Sequence, residues 1–290
     1  MGLAYREEPS DHPMFEYLNE VDYQAPDFGD FYDELPLWSA PFGLMLLERV
    51  PVRLGLTILD VGAGTGFLTV ELAQRCGATS TVIAVDPWAA AMTRLQRKIE
   101  WLDLRNVRLM RQDAATIDLP DASVDLIVSN LGINNFENMD AVLETCFRVA
   151  KPGGQLFLTT NLAGHMQEFY DVFRDTLSEL GMHDRIAALD AHVQHRGTVE
   201  SLVARIERSG FTICNVTTES FRMRFVDGSA LFRHYFIRLG FLPGWKSLVP
   251  VEALQTTFDA LEQRLNAITR ERGELALTIP TACIEAGRAI

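Results

Sequence analysis

LDVGAGTGFLTVELA, residues 59–73, sets three glycines at alternate positions, Gly62, Gly64 and Gly66, between an apolar run and an amphipathic one. LTILDV, at 56–61, reads as a buried strand, and FLTVELA has the spacing of a helix packed on one face. A strand, a glycine loop and a helix in that order aim backbone N–H groups and the positive end of the helix dipole at one point. An anionic or polar ligand group fits there.

Outward from this stretch, apolar runs of strand length alternate with helix-length amphipathic segments, the pattern of a doubly wound α/β sheet. STVIAVD (80–86), VRLMRQD (107–113), VDLIVSN (124–130) and GQLFLTTN (154–161) follow the first strand, with a helix over 138–150 and a KPGG turn before the last. Their polar ends, Asp60, Asp86, Asp113, Asn130 and Asn161, fall at the carboxyl edge of the sheet, where open α/β folds take their ligands. Residues 164–196 read as helical, and Thr198 caps a helix that ends at Gly210. A strand over 211–225, a helix over 250–272 and a final strand over 274–286 close the chain. The expected organisation is an N-terminal flap (1–50), a ligand-binding core (51–162), a helical insertion and sixth strand (163–225), an aromatic and basic cover (226–273) and a last strand (274–290).

The glycine spacing separates two ligands. A dinucleotide site takes Gly-x-Gly-x-x-Gly/Ala, in which the third small residue lets strand and helix pack under the pyrophosphate. Phe67 occupies that place and Gly66 falls one residue early. The acid-led series Asp60-Val61-Gly62-Ala63-Gly64-Thr65-Gly66 instead resembles motif I of the class I S-adenosylmethionine-dependent methyltransferases. RQDAATIDLPDASVDLIVSN, followed by FRVAKPGGQLFLT, is similar to the small-molecule "type 11" branch of that family, over residues 56–161. The resemblance implies a Rossmann-like seven-stranded methyltransferase sheet, with S-adenosylmethionine as methyl donor and S-adenosylhomocysteine as product.

It also implies roles for particular residues. The loop from Gly62 to Gly66, with Asp60, would take the methionine end, near the N-terminal segment around Tyr32 to Ser39. Asp86 would accept from the ribose hydroxyls, with Pro87 and Trp88 following along the adenine face, and Asp113-Ala114 would serve the adenine edge. Asn130 and Leu131 would lie beside the methyl group. SNLGINNF lacks the Asn/Asp-Pro-Pro-Tyr signature of relatives that methylate planar nitrogens, which disfavours nucleic-acid bases as acceptors.

Candidates for the acceptor site are Tyr32, Trp38, Asn134 and Arg233, and those for a general base are His165 and His234. His192 and His195 share a helix face but have no third ligand, so no metal site is expected. The segment 221–247 sets Arg222, Arg224, Arg233, Arg238 and Lys246 among aromatics with Asp227 as its acid. It reads either as a lid pairing an arginine with an anionic acceptor or as a packed segment with a solvated basic face. The order of parts is also similar to methyltransferases of biotin synthesis that esterify a carrier-bound malonyl carboxylate, which keeps a carrier protein as an alternative partner.

Composition limits the remaining classes. A formal charge of −13 opposes a broad grip on nucleic acid or anionic lipid. Cys76, Cys146, Cys214 and Cys283 are far apart and read as reduced core residues. With neither a signal-like N-terminus nor a long apolar stretch, the expectation is a cytoplasmic protein acting on a small, partly apolar and in one reading anionic acceptor. A nicotinamide oxidoreductase and a non-catalytic S-adenosylmethionine-binding protein are the alternatives outside this class.

Overall fold

A computed structural model describes residues 16–18, 22, 25, 28–33, 37–194 and 196–290. The β-branched runs form strands β1 (Thr57–Val61), β2 (Thr81–Val85), β3 (Val107–Met110), β4 (Val124–Asn130), β5 (Ala150–Asn161), β6 (Thr212–Phe225) and β7 (Leu275–Gly287). They make one sheet in the order β3-β2-β1-β4-β5-β7-β6, with β7 antiparallel to both neighbours. Two short helices, α1 (Phe28–Asp33) and α2 (Ala40–Leu47), precede the sheet, and α3 (Phe67–Arg75), α4 (Ala89–Trp101) and α5 (Met139–Val149) are its crossovers. Helices α6 (Gln167–Glu179), α7 (His183–Gln194) and α8 (Val199–Arg208) separate β5 from β6. Between β6 and β7 lie α9 (Gly228–Arg233), α10 (Tyr235–Gly240), α11 (Leu242–Lys246) and α12 (Leu254–Arg272).

Successive residues of the central strands serve opposite faces, as a pleated strand requires. Ile58, Val82 and Leu126 pack with Leu68 and Leu72 of α3 on one face, while Leu59, Ile83 and Ile127 pack with Val142 of α5 and Ile206 of α8 on the other. Cover on both faces is why these strands read as continuous apolar runs. A third core joins the start of β7, through Leu275, Leu277 and Ile279, to the cover helices, where Phe169, Phe173, Phe232, Trp245 and Phe258 are wholly buried. Phe169 stacks on Trp245 at 4.0 Å, and the indole Nε1–H of Trp245 donates to Tyr170 Oη at 3.1 Å. Each such ring contributes about 1.5–3 kcal/mol by burial, which fixes the cover without a long apolar helix.

Thr198 caps α8 as expected, its Oγ1 accepting from Ser201 N while Ser201 Oγ accepts from Thr198 N. Three expectations are corrected. KPGG is not a free turn: Ala150 already pairs with Val124, and the ladder resumes at Leu126 and Gln155, so these residues form an irregularity within β5 that Gly153 accommodates at φ +76°. Strand β3 stops at Met110, so Asp113 is no strand end; its carboxylate caps a single 3-10 turn by accepting from Ala115 N at 2.8 Å. Cys76, Cys146 and Cys283 are buried, but Cys214 is exposed on β6, one of the two edge strands.

Among the described residues no helix is long and apolar enough to cross a membrane. The candidate pair His192 and His195 is described only at His192, since His195 lies outside the described residues.

Candidate functional site

The three glycines have three different causes, although all have positive φ, at +74°, +54° and +91°. A Cβ on Gly62 would come within 3.0 Å of Gly132 Cα, and one on Gly66 within 2.1 Å of Leu95 Cδ1. These two let the loop sit against the backbone after β4 and against α4. At Gly64 a Cβ would meet nothing within 4 Å, so open space beside the loop is what a side chain would fill. That cradle fits a ligand approaching the bare backbone, as the motif requires.

Asp86 holds the loop from the next strand. Its Oδ2 accepts from Gly64 N at 2.9 Å and its Oδ1 from Trp88 N at 2.8 Å. A carboxylate has about four acceptor positions, so both oxygens keep capacity for ribose hydroxyls. Burial raises the pKa of Asp86, and the two N–H donors oppose that shift.

Asp60 lies deeper, 1% exposed at the end of β1, where its Oδ2 accepts from Thr69 Oγ1 of α3 at 2.6 Å. Burial, reinforced by the charge of Asp86, pushes its pKa up to about 7 against the hydrogen bond from Thr69. It acts from behind the loop, tying strand to helix.

A cavity of about 370 Å³ opens at the carboxyl edge, lined by Trp88 after β2, Leu131 after β4, Asn161 at the end of β5, and Arg196 after α7. Tyr32, Trp38 and Asn134 of the sequence candidates reach it, and Phe236, Leu239 and Phe241 of the cover close it. Tyr32 meets Trp88 edge-on at 5.2 Å, and burial raises its pKa, helped by the charge of Asp86. Trp38 stacks on Phe236 at 5.2 Å and meets Phe241 edge-on.

Leu131 turns the chain at φ +64°, and its N–H donates to Thr159 O at 3.0 Å. Asn130 ties the N-terminal segment down, its Nδ2 donating to Ser39 O at 3.1 Å while its Oδ1 accepts from Thr159 Oγ1. Asn134 donates from Nδ2 to Asn161 Oδ1 at 2.9 Å and accepts from Thr160 Oγ1. The buried Nδ2 of Asn161 has no hydrogen-bond partner.

The other candidates sit elsewhere. His165 is 2% exposed and packs on Tyr170 and Phe241, outside the cavity lining. Burial, with the charges of Arg196 and His192, lowers its pKa to about 4, so it is a weak base and neutral at pH 7. His234 is exposed against Phe225 in a separate cavity of about 310 Å³, which shares Trp38 and Phe236 as a wall. Arg233 pairs with Glu262 at 3.1 Å and lies over the Tyr17 ring.

Arg224 pairs with Glu274, and Lys246 donates to Leu18 O. So the basic residues of 221–247 mostly serve the cover itself, and its aromatics reach the cavity. Asp113 is exposed, and of the residues expected to hold the cofactor Trp88 and Leu131 line this cavity, while Asp60, the loop from Gly62 to Gly66, Asp86, Pro87, Asp113, Ala114 and Asn130 do not. Arg196 had no signal in the sequence: an arginine between a helix and the next N-cap reads like any solvated cation.

Residues 58–154 match the family model described as a methyltransferase domain. The chain is 30% identical over 139 residues to a demethylmenaquinone methyltransferase of Oceanobacillus iheyensis, covering 47% of this chain and 58% of that protein. It is 37% identical over 144 residues to an arsenite methyltransferase of Aquipseudomonas alcaligenes, covering 43% and 42% respectively. The matched segments thus span about half the length of these curated relatives. Among solved structures, the YcgJ protein of Bacillus subtilis superposes with a TM-score of 0.58 at 15% identity, covering 87% of this chain and 99% of that one.

Proposed function

We propose that this protein, whose residues 58–154 match a methyltransferase domain, transfers a methyl group from S-adenosylmethionine to a small, partly apolar acceptor. The observation that carries the reading is the position of the cavity. Its walls come from the residues after β2 and β4 and the end of β5, at the carboxyl edge where the sheet order reverses beside β1.

The bound cofactor supplies a methyl group already activated on a positive sulfur. The chain's own tasks are then to hold, align and exclude water. Gly64 leaves room beside the loop, and Asp86 offers its spare acceptor positions to the ribose. Trp88 and Tyr32 present ring faces and edges for the adenine end. Trp38, Phe236 and Phe241 hold the acceptor's apolar body and keep water from the reacting atoms. With His165 neutral and outside the lining, the fitting acceptor is one that needs no strong base, being already ionised or a ready nucleophile.

The test is formation of S-adenosylhomocysteine from S-adenosylmethionine with a panel of small aromatic and aliphatic acceptors. Turnover with one chemical class supports the reading. Binding of NAD with none of S-adenosylhomocysteine would replace it with the oxidoreductase alternative.

A further inference from the structure

We propose that Arg196 is the specificity residue of the acceptor site, and that the acceptor is an organic oxyanion. Its apolar body would lie on Trp38, Phe236 and Phe241 while its carboxylate or phosphate meets the Arg196 guanidinium. The inference rests on the methyltransferase reading above and names its substrate class.

Arg196 is the charged member of a lining otherwise made of aromatic, aliphatic and amide side chains with Gly240. No described acid pairs with it, although the chain has 39 acidic residues against 26 Lys and Arg. Arg174, Arg205 and Arg233 are each matched by an acid, Asp190, Asp140 and Glu262 in turn, while the buried Nε of Arg238 on α10 also lacks a partner but Arg238 does not line the cavity. A half-buried guanidinium without a counterion is costly, and a bound oxyanion would offset that cost through the bidentate geometry Arg presents.

A second donor points to the same ligand. Asn161 accepts on Oδ1 from Asn134, which fixes its amide, and its buried Nδ2 is left without a partner on the wall shared with Arg196. Asn161 ends β5, two strand positions from β1 and its glycine loop, and Arg196 precedes Gly197, whose carbonyl accepts from Ala163 N just past β5. That places the pair at the acceptor's end of the cleft and away from the loop that would take the cofactor's methionine tail.

The test uses the full chain and its Arg196→Gln variant. Binding of aryl carboxylates, aryl phosphates and the matched neutral aryl amides is measured by calorimetry, with and without saturating S-adenosylhomocysteine. The wild type is expected to prefer one class of acid over its amide by about 10- to 100-fold, as for hydrogen bonds to a charged group. Arg196→Gln should lose that preference, Arg196→Lys should recover part of it, and affinity for S-adenosylhomocysteine should stay within about twofold in all three. Which acid class is preferred distinguishes a carboxylate from a phosphate acceptor.

No preference for acids in the wild type, or an unchanged preference in Arg196→Gln, overturns the proposal. So does a selective loss of S-adenosylhomocysteine affinity in Arg196→Gln, which would make Arg196 a partner of the cofactor's carboxylate. Acid preference without any binding of S-adenosylhomocysteine would refute the methyltransferase reading and leave the anion site standing.

Discussion

Replacing Asp86 with alanine separates two roles that the sequence merges. The carboxylate accepts from the backbone N–H groups of Gly64 and Trp88, so its removal strands two donors at a half-buried site before any ligand is considered. Hydrogen bonds to a charged group contribute about 1.5–3 kcal/mol each, and partial exposure brings the pair to roughly 2–4 kcal/mol. At about 2.1 cal/mol/K per residue, unfolding a chain of 290 residues carries an entropy of roughly 0.6 kcal/mol/K. Asp86→Ala should therefore lower the ligand-free Tm by about 3–7 °C.

Loss of the ribose contacts should weaken S-adenosylhomocysteine a further 10- to 150-fold or so. Differential scanning fluorimetry without ligand reads the first effect, and isothermal titration calorimetry reads the second. A ligand-free Tm within about 1 °C of wild type would refute the claim that Asp86 clamps the loop. Unchanged affinity with a lowered Tm would refute its role at the ribose.

Other consequences follow from the same geometry. Gly66→Ala should cost about 2–4 kcal/mol in urea unfolding, because its Cβ meets Leu95 at a left-handed φ. Gly64→Ala should cost only about 1–2 kcal/mol yet lose S-adenosylhomocysteine binding, and equal destabilisation with retained binding would contradict the assignment of open space at Gly64. Folded Asp60 keeps its proton to about pH 7 whereas the unfolded side chain releases it near 3.8, so the folded state binds more protons in between and stability falls as pH rises through that window. Between pH 5 and pH 8 this amounts to roughly 2–3 kcal/mol, which Asp60→Asn should remove; parallel pH profiles for the two proteins would refute it. Cys214 should react at once with a thiol reagent in the native protein, and the buried Cys146 and Cys283, whose thiols are pushed up to about 12, only on unfolding; prompt modification of more than one thiol would contradict that burial.

The sheet was legible because its strands are buried on both faces, so LTILDV and VDLIVSN carry continuous apolar runs that no exposed element would show. The glycine loop was legible for a related reason, since positive φ at Gly62 and Gly66, with Gly132 Cα against the first and the Leu95 side chain against the second, disfavours other residues. The acceptor side was read less well. Residue type points to His165, His234 and Arg233, but type does not encode which side of Phe241 or Trp38 a side chain occupies. Within the basic segment 221–247, the charge of Arg233 is satisfied by Glu262 on α12, a partner that its sequence neighbours do not signal. Arg196 carries no such signal, because its meaning lies in the absence of a described acid around it, which only the folded placement of the segment between α7 and α8 at the cavity reveals.

The most direct test of the account is the crystal structure of the protein with S-adenosylhomocysteine. The ribose hydroxyls are predicted on Asp86, the methionine tail along Gly62 to Gly66, and the sulfur facing the cavity bounded by Leu131, Asn161 and Arg196. A nucleoside lying away from Asp86, or a sulfur turned from that cavity, would contradict it.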